Sequence, residues 1–171
     1  IKAYQNMINQ SNQNLKKEVT FDCQKLPFHC AIKEQKFDRI AVLKKTGFDI
    51  EAHDSLSRTP LWYALNNPIA VRVLLENGAN PDSFNIYEET PLAHTLVISL
   101  KPNLEIAELL VKYGAQINRT IGFRKRIRIL NFAIVNKNLP VINFALANEF
   151  FLMLLSNTRP CAYNKSFDRT K

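Results

Sequence analysis

The chain has 171 residues, 46% of them hydrophobic, with only 4 Gly and a formal net charge of +8. That supplies enough apolar material for one domain with a substantial core and excludes a wholly disordered chain. The three cysteines, at 23, 30 and 161, form no CxxC pair and have no His at zinc spacing, so they read as reduced and unliganded. In chain order, the Asn- and Gln-rich opening predicts a solvated helix over residues 3–18, within a helical extension or cap at residues 1–25. The first organised start is "LPFHCAI" at Leu26, followed by "TPLWYAL" at Thr59 and "TPLAHTL" at Thr90.

In "SRTPLWYALNN" a side-chain oxygen from Thr59 and a proline at the first helical position together mark a helix start. The start recurs 31 residues later at Thr90, and a weaker version lies 33 residues earlier at Leu26. That period is typical of stacked repeats. Each second segment ends on a glycine, at Gly47, Gly78 and Gly114, the residue suited to the left-handed position just past a helix. Between start and glycine there is room for two short helices with apolar residues three and four apart, such as Leu92, Leu96, Ile106, Leu109 and Leu110. A single hairpin of this kind has nothing to bury its apolar faces against, so the pattern predicts a stack.

"TPLWYAL" with "AVRVLLENGANPD", "TPLAHTL" with "EIAELLVKYGAQIN", and "LPFHCAI" with "FDRIAVLKKTGFDIEAHD" resemble ankyrin repeats over residues 22–150. A fourth unit, "RILNFAIVNKNLPVINFALANE", matches in apolar pattern, with Leu130 and Ala133 in the places of Leu61 and Ala64 and Asn148 in place of the glycine. The resemblance implies an all-α solenoid of about four helix-turn-helix units with helical caps. The units lie near residues 26–58, 59–89, 90–127 and 128–156, residues 150–155 close the stack, and a basic tail fills residues 157–171. The family's His after the start is kept only at His29; Trp62, Ala93 and Asn131 replace it, with Trp62 read as filler between units. Irregular repeats rich in Lys, Asn, Ile and Phe are similar to those of intracellular bacteria or large viruses, which makes a host protein the natural partner.

Two places depart from regularity. "VISLKPN" lengthens the third unit, and the following loop, residues 119–128, carries Arg119, Arg124, Lys125, Arg126 and Arg128 with no acid. Charge is segregated: residues 51–111 hold 3 basic and 8 acidic side chains, and residues 112–171 hold 11 basic and 2 acidic.

The sequence offers no phosphate loop, no metal cluster and no nucleophile with its base, so no catalysis, cofactor or metal is expected. Helical neighbours point about 100° apart, so His29 beside Cys30 does not make a catalytic pair. The resemblance implies instead a scaffold that binds another protein through loop tips and exposed positions of the first helices. Those are Ser55, Leu56 and Arg58; Ile86, Tyr87 and Glu89; Arg124 and Lys125; and on helices Asn66, Asn67, Val97 and Ile98. Apolar residues at tips are the expected anchors. The alternative is binding of nucleic acid or anionic lipid through loop 119–128 and the C-terminal segment. The longest apolar run, from Leu139, is broken by Asn143, Asn148 and Glu149 and is too polar to span a bilayer. A reducing compartment is expected, either the cytoplasm or a host's cytoplasm for a secreted effector.

Overall fold

The computed structural model describes residues 22–99, 101–118 and 128–156. The expected helix at 3–18, the basic residues Arg124 and Lys125 with most of their loop, and the tail at 157–171 lie outside the described residues. Four helix pairs follow one another: α1 (Pro27–Lys33) with α2 (Asp38–Lys45), α3 (Pro60–Ala64) with α4 (Pro68–Glu76), α5 (Pro91–Ala93) with α6 (Leu104–Lys112), and α7 (Ile129–Val135) with α8 (Leu139–Ser156). No strand occurs among the described residues. They form units 1 to 4, stacked in chain order: α1 lies on α3, α4 on α6, and α7 on the end of the third unit's first helix.

The starts follow their chemistry except at Thr59, which does not cap α3 with its side chain: its hydroxyl instead meets the Ser83 hydroxyl at 3.1 Å. Pro60 and Pro91 occupy the opening turns of α3 and α5. Thr90 Oγ1 accepts the Ala93 N–H at 3.2 Å, and Asn67 and Asn103 cap α4 and α6 in the same way. The inward stripes then close one continuous core in which Phe28, Ile40, Leu61, Leu74, Leu92, Ile106 and Leu110 are fully buried. Each such side chain contributes about 1.5–3 kcal/mol over leaving it in water. Gly47, Gly78 and Gly114 have φ of 87°, 89° and 98°, the left-handed geometry that ends each second helix.

Three expectations are corrected. Asn148 ends nothing: α8 runs unbroken to Ser156, and the Asn148 amide donates back to the Phe144 carbonyl at 2.8 Å. The sequence from Glu149 continues an apolar helical run, so the chain keeps its helix instead of turning, and residues 150–155 are the end of that helix. Second, the surplus residues of unit 3 wind into a π-helical turn, His94–Ile98, directly after α5. The wider turn carries Val97 and Ile98 into the core, at 7% and 1% exposure, so neither offers an exposed face to a partner. Third, Cys23 and Cys30 are joined in a disulfide. A turn at Asp22, whose carbonyl accepts from Lys25 and Leu26, folds Cys23 back beside α1, and a spacing of 7 does not reveal that.

Candidate functional site

The two complete tips between units share one backbone scheme with different side chains. In residues 54–58, Asp54 Oδ1 accepts the N–H groups of Leu56 and Arg58 at 2.8 and 2.9 Å, and the Asp54 N–H reaches the Arg58 carbonyl at 3.1 Å. In residues 85–89, Asn85 Oδ1 accepts from Tyr87 and Glu89 at 2.9 and 3.1 Å, and the Asn85 N–H reaches the Glu89 carbonyl at 3.3 Å. An acceptor at the first position satisfies two N–H groups that a five-residue loop cannot pair by itself. The fifth side chain then completes the first: Arg58 Nε and Nη2 donate to Asp54 Oδ2 at 2.9 and 2.8 Å, and the Asn85 amide donates to Glu89 Oε2 at 2.8 Å.

This bracing turns two expected contact residues inward. Arg58 and Glu89 are buried, and Arg58 also lies over the Tyr63 ring at 4.7 Å, so both hold the tips and present no exposed side chain along the edge. Asn67 is half-buried and occupied with capping α4, while Asn66 is exposed. Ile86 is 39% exposed at the outer end of its tip, Leu56 and Tyr87 beside it are half-buried, and Ser55 is exposed. The tips are joined: the Ile86 N–H donates to the Leu56 carbonyl at 3.0 Å. Phe84, 38% exposed, extends the apolar strip and was not singled out from sequence. Its signal was available, since in the repeat register it takes the place of His53.

Behind the tips, polar contacts run from unit to unit. The His29 Nε2–H donates to the Arg58 carbonyl at 3.0 Å, and the Trp62 indole donates to the Ser83 carbonyl at 3.3 Å while packing edge-on to His94. Trp62 is therefore buried between units, as expected of a large aromatic that fills the gap between repeats. At the other end of each connection, Glu51 accepts the Asn80 N–H at 2.8 Å and Asp82 accepts the Gln116 N–H at 3.1 Å, both two residues past the glycine.

The electrostatics follow from burial. Burial raises the Asp54 carboxyl, but hydrogen bonds from Tyr63 and Arg58 outweigh it and hold the group below its ordinary value. Burial, followed by the Asp54 bond, raises the Tyr63 hydroxyl. His94 is pushed down to about 4 by burial, reinforced by the Arg58 charge. Among the described residues no group of three His, Cys, Asp or Glu could hold a metal ion, and no helix is long and apolar enough to cross a membrane. The arrangement is an edge of loop tips closed by internal hydrogen bonds, with Ile86 and Phe84 partly exposed on it.

Comparison with known proteins agrees with this geometry. A family model for ankyrin repeats, in three copies, matches residues 28–121. The chain is similar to an ankyrin repeat protein of Acanthamoeba polyphaga mimivirus, 33% identical over 125 residues that cover 57% of this chain and 21% of the relative. It is also similar to the transient receptor potential channel pyrexia of Drosophila melanogaster, 34% identical over 116 residues that cover 66% of this chain and 12% of the channel. It thus spans about a fifth of the length of the first relative and about an eighth of the second. Helix pairs, left-handed glycines and a match over more than half of its length make this chain a member of the ankyrin repeat family, whose repeats generally mediate protein–protein interaction.

Proposed function

We propose that the chain binds another protein along the tip edge, with Ile86 and Phe84 as outer anchors and Leu56 and Tyr87 behind them. The observation that carries this reading is the exposure of Ile86 and Phe84 on a tip whose backbone is locked by Asn85 and tied to its neighbour. A locked tip has already lost its conformational freedom before binding, so apolar area presented there is used efficiently. Exposed Asn66 and Ser55 supply polar contacts at the margin.

Affinity capture with the whole chain as bait tests the proposal. Leu56, Ile86 and Tyr87 replaced together with Ser should abolish capture, since a lost anchor costs about 2 kcal/mol, or about thirtyfold in affinity. A Phe84→Ser variant should weaken it. The competing reading, an electrostatic site for nucleic acid or anionic lipid, draws on the 11 basic and 2 acidic side chains of residues 112–171. Replacing Arg124, Lys125 and Arg126 with Ser should mainly slow association and flatten its salt dependence. Capture that survives the apolar triple variant but is lost at every salt concentration in the basic variant would displace the protein-binding reading.

A further inference from the structure

We propose that the Cys23–Cys30 disulfide is a thiol-reducible latch that holds the first tip against the first helix. The repeat register places Cys30, Tyr63 and His94 at one helix position, each four residues after Leu26, Thr59 or Thr90, and places Cys23 at the tip position of Leu56 and Tyr87. In unit 2 that helix position is tied to its tip by a hydrogen bond, the Tyr63 hydroxyl donating to Asp54. In unit 1 the same tie is covalent.

The restraints that brace the other tips are replaced here by weaker ones. Leu26 stands where units 2 and 3 have Thr, and α1, like α3, lacks the side-chain cap that Thr90 gives α5. Asp22 receives the Gln24 N–H at 3.1 Å, and its ion pair with Lys25 at 3.7 Å is solvent-exposed and weak. Beside the Asp22 carbonyl, which accepts from Lys25 and Leu26, the disulfide is the covalent restraint that ties residues 22–26 to α1. Cys23 is exposed and Cys30 buried, which sets the direction of attack.

The chemistry balances with a low-molecular-weight thiol as reductant. Its thiolate bonds to Cys23 Sγ, the Cys23–Cys30 bond breaks, and the electron pair leaves on Cys30 Sγ, which takes a proton from water. A second thiolate attacks the outer sulfur of the mixed disulfide, Cys23 leaves and is protonated, and the two small thiols end as one disulfide. The protein gains two electrons and two protons. The reduced chain keeps α1 packed on α3 but releases the tip ahead of it. Any consequence for partner binding rests on the proposed edge; the latch itself is read without a partner.

The test uses the whole chain with Cys161→Ser, so that no third thiol can exchange, and titrates reduced glutathione before alkylation with iodoacetamide. Cys23 and Cys30 should be unmodified before reduction and both carbamidomethylated after it. Amide exchange over residues 23–26 should accelerate by about tenfold or more on reduction, with α1 beyond Pro27 and residues 92–110 unchanged. Cys23→Ser, a change at an exposed position, should exchange like the reduced chain. Alkylation of both cysteines in the air-oxidised chain, or exchange rates equal within about twofold in the oxidised, reduced and Cys23→Ser chains, would overturn the proposal.

Discussion

Units 2 and 3 carry the same backbone tip and differ in what fastens it. In unit 2 a buried ion pair, Asp54 with Arg58, closes the loop and Tyr63 binds it to the helix behind. In unit 3 the loop closes on an amide and a carboxylate, Asn85 with Glu89, and the helix position holds His94, whose Nδ1 is buried with no hydrogen-bond partner. The geometry demands an acceptor at the first position of the tip and leaves the fifth free to carry either charge, provided the two side chains complete each other. Ankyrin-type tips of opposite internal polarity can thus present their outer residues in one backbone frame.

The largest effect that can break this comparison is Asp54→Ala. It removes two backbone bonds and leaves Arg58 buried without its partner, so denaturant unfolding should show a loss of about 3–5 kcal/mol. Asn85→Ala should cost less, about 1–3 kcal/mol, because the bonds it removes come from a neutral amide and break no ion pair, although buried Glu89 loses that donor. Equal losses would mean that the ion pair adds nothing beyond the loop brace.

The next contrast is in pH. His94 is depressed to about 4, so the unfolded chain binds its proton first as pH falls below the ordinary histidine value of 6.5. Stability present above about 6.5 is then lost toward pH 4, at up to about 1.4 kcal/mol per pH unit from this group. His29 is also lowered, by burial, and acts in the same direction. Asp54, held below its ordinary value, contributes stability that is lost only at still lower pH, as its folded carboxyl protonates. A melting series against pH should therefore flatten between pH 6.5 and 4 in His94→Gln. An unchanged profile would show that His94 is solvated in spite of its edge-on packing against Trp62.

Gly78 and Gly114 should behave alike despite the different units they close. An added Cβ would meet nothing within 4 Å at either position, so Gly78→Val and Gly114→Val should each cost only the backbone strain of a positive φ, about 1–2 kcal/mol in thermal melts. Wild-type melting in both would contradict the shared phase. The smallest expected change in stability is at Phe84 and Ile86: serine at either should stay within about 0.5 kcal/mol of wild type, because both are already partly in water. A large loss there would make them core residues of the tip and weaken their reading as anchors.

By itself the sequence determined the order of the first three helix pairs, because proline-led starts and terminal glycines are local requirements of backbone geometry that need no partner to be read, and the fourth was legible only in its apolar spacing. Leu61, Leu92, Ile106 and Leu110 could be assigned inward for the same reason, their spacing being that of a helix with one apolar face. Side chains that face one another across loops could only be decided by the tertiary structure. Arg58 and Glu89 read as exposed charges until their partners four residues back are seen, and Cys23 and Cys30 read as free thiols until the turn at Asp22 brings them together. Matching to the resembled repeat pattern assigns Val97 and Ile98 outward, and the π turn that absorbs the added residues of unit 3 places both in the core. Periodicity along the chain fixes which elements form and which face each buries, but contacts across a loop depend on how the chain closes in space, and a sequence period does not record that.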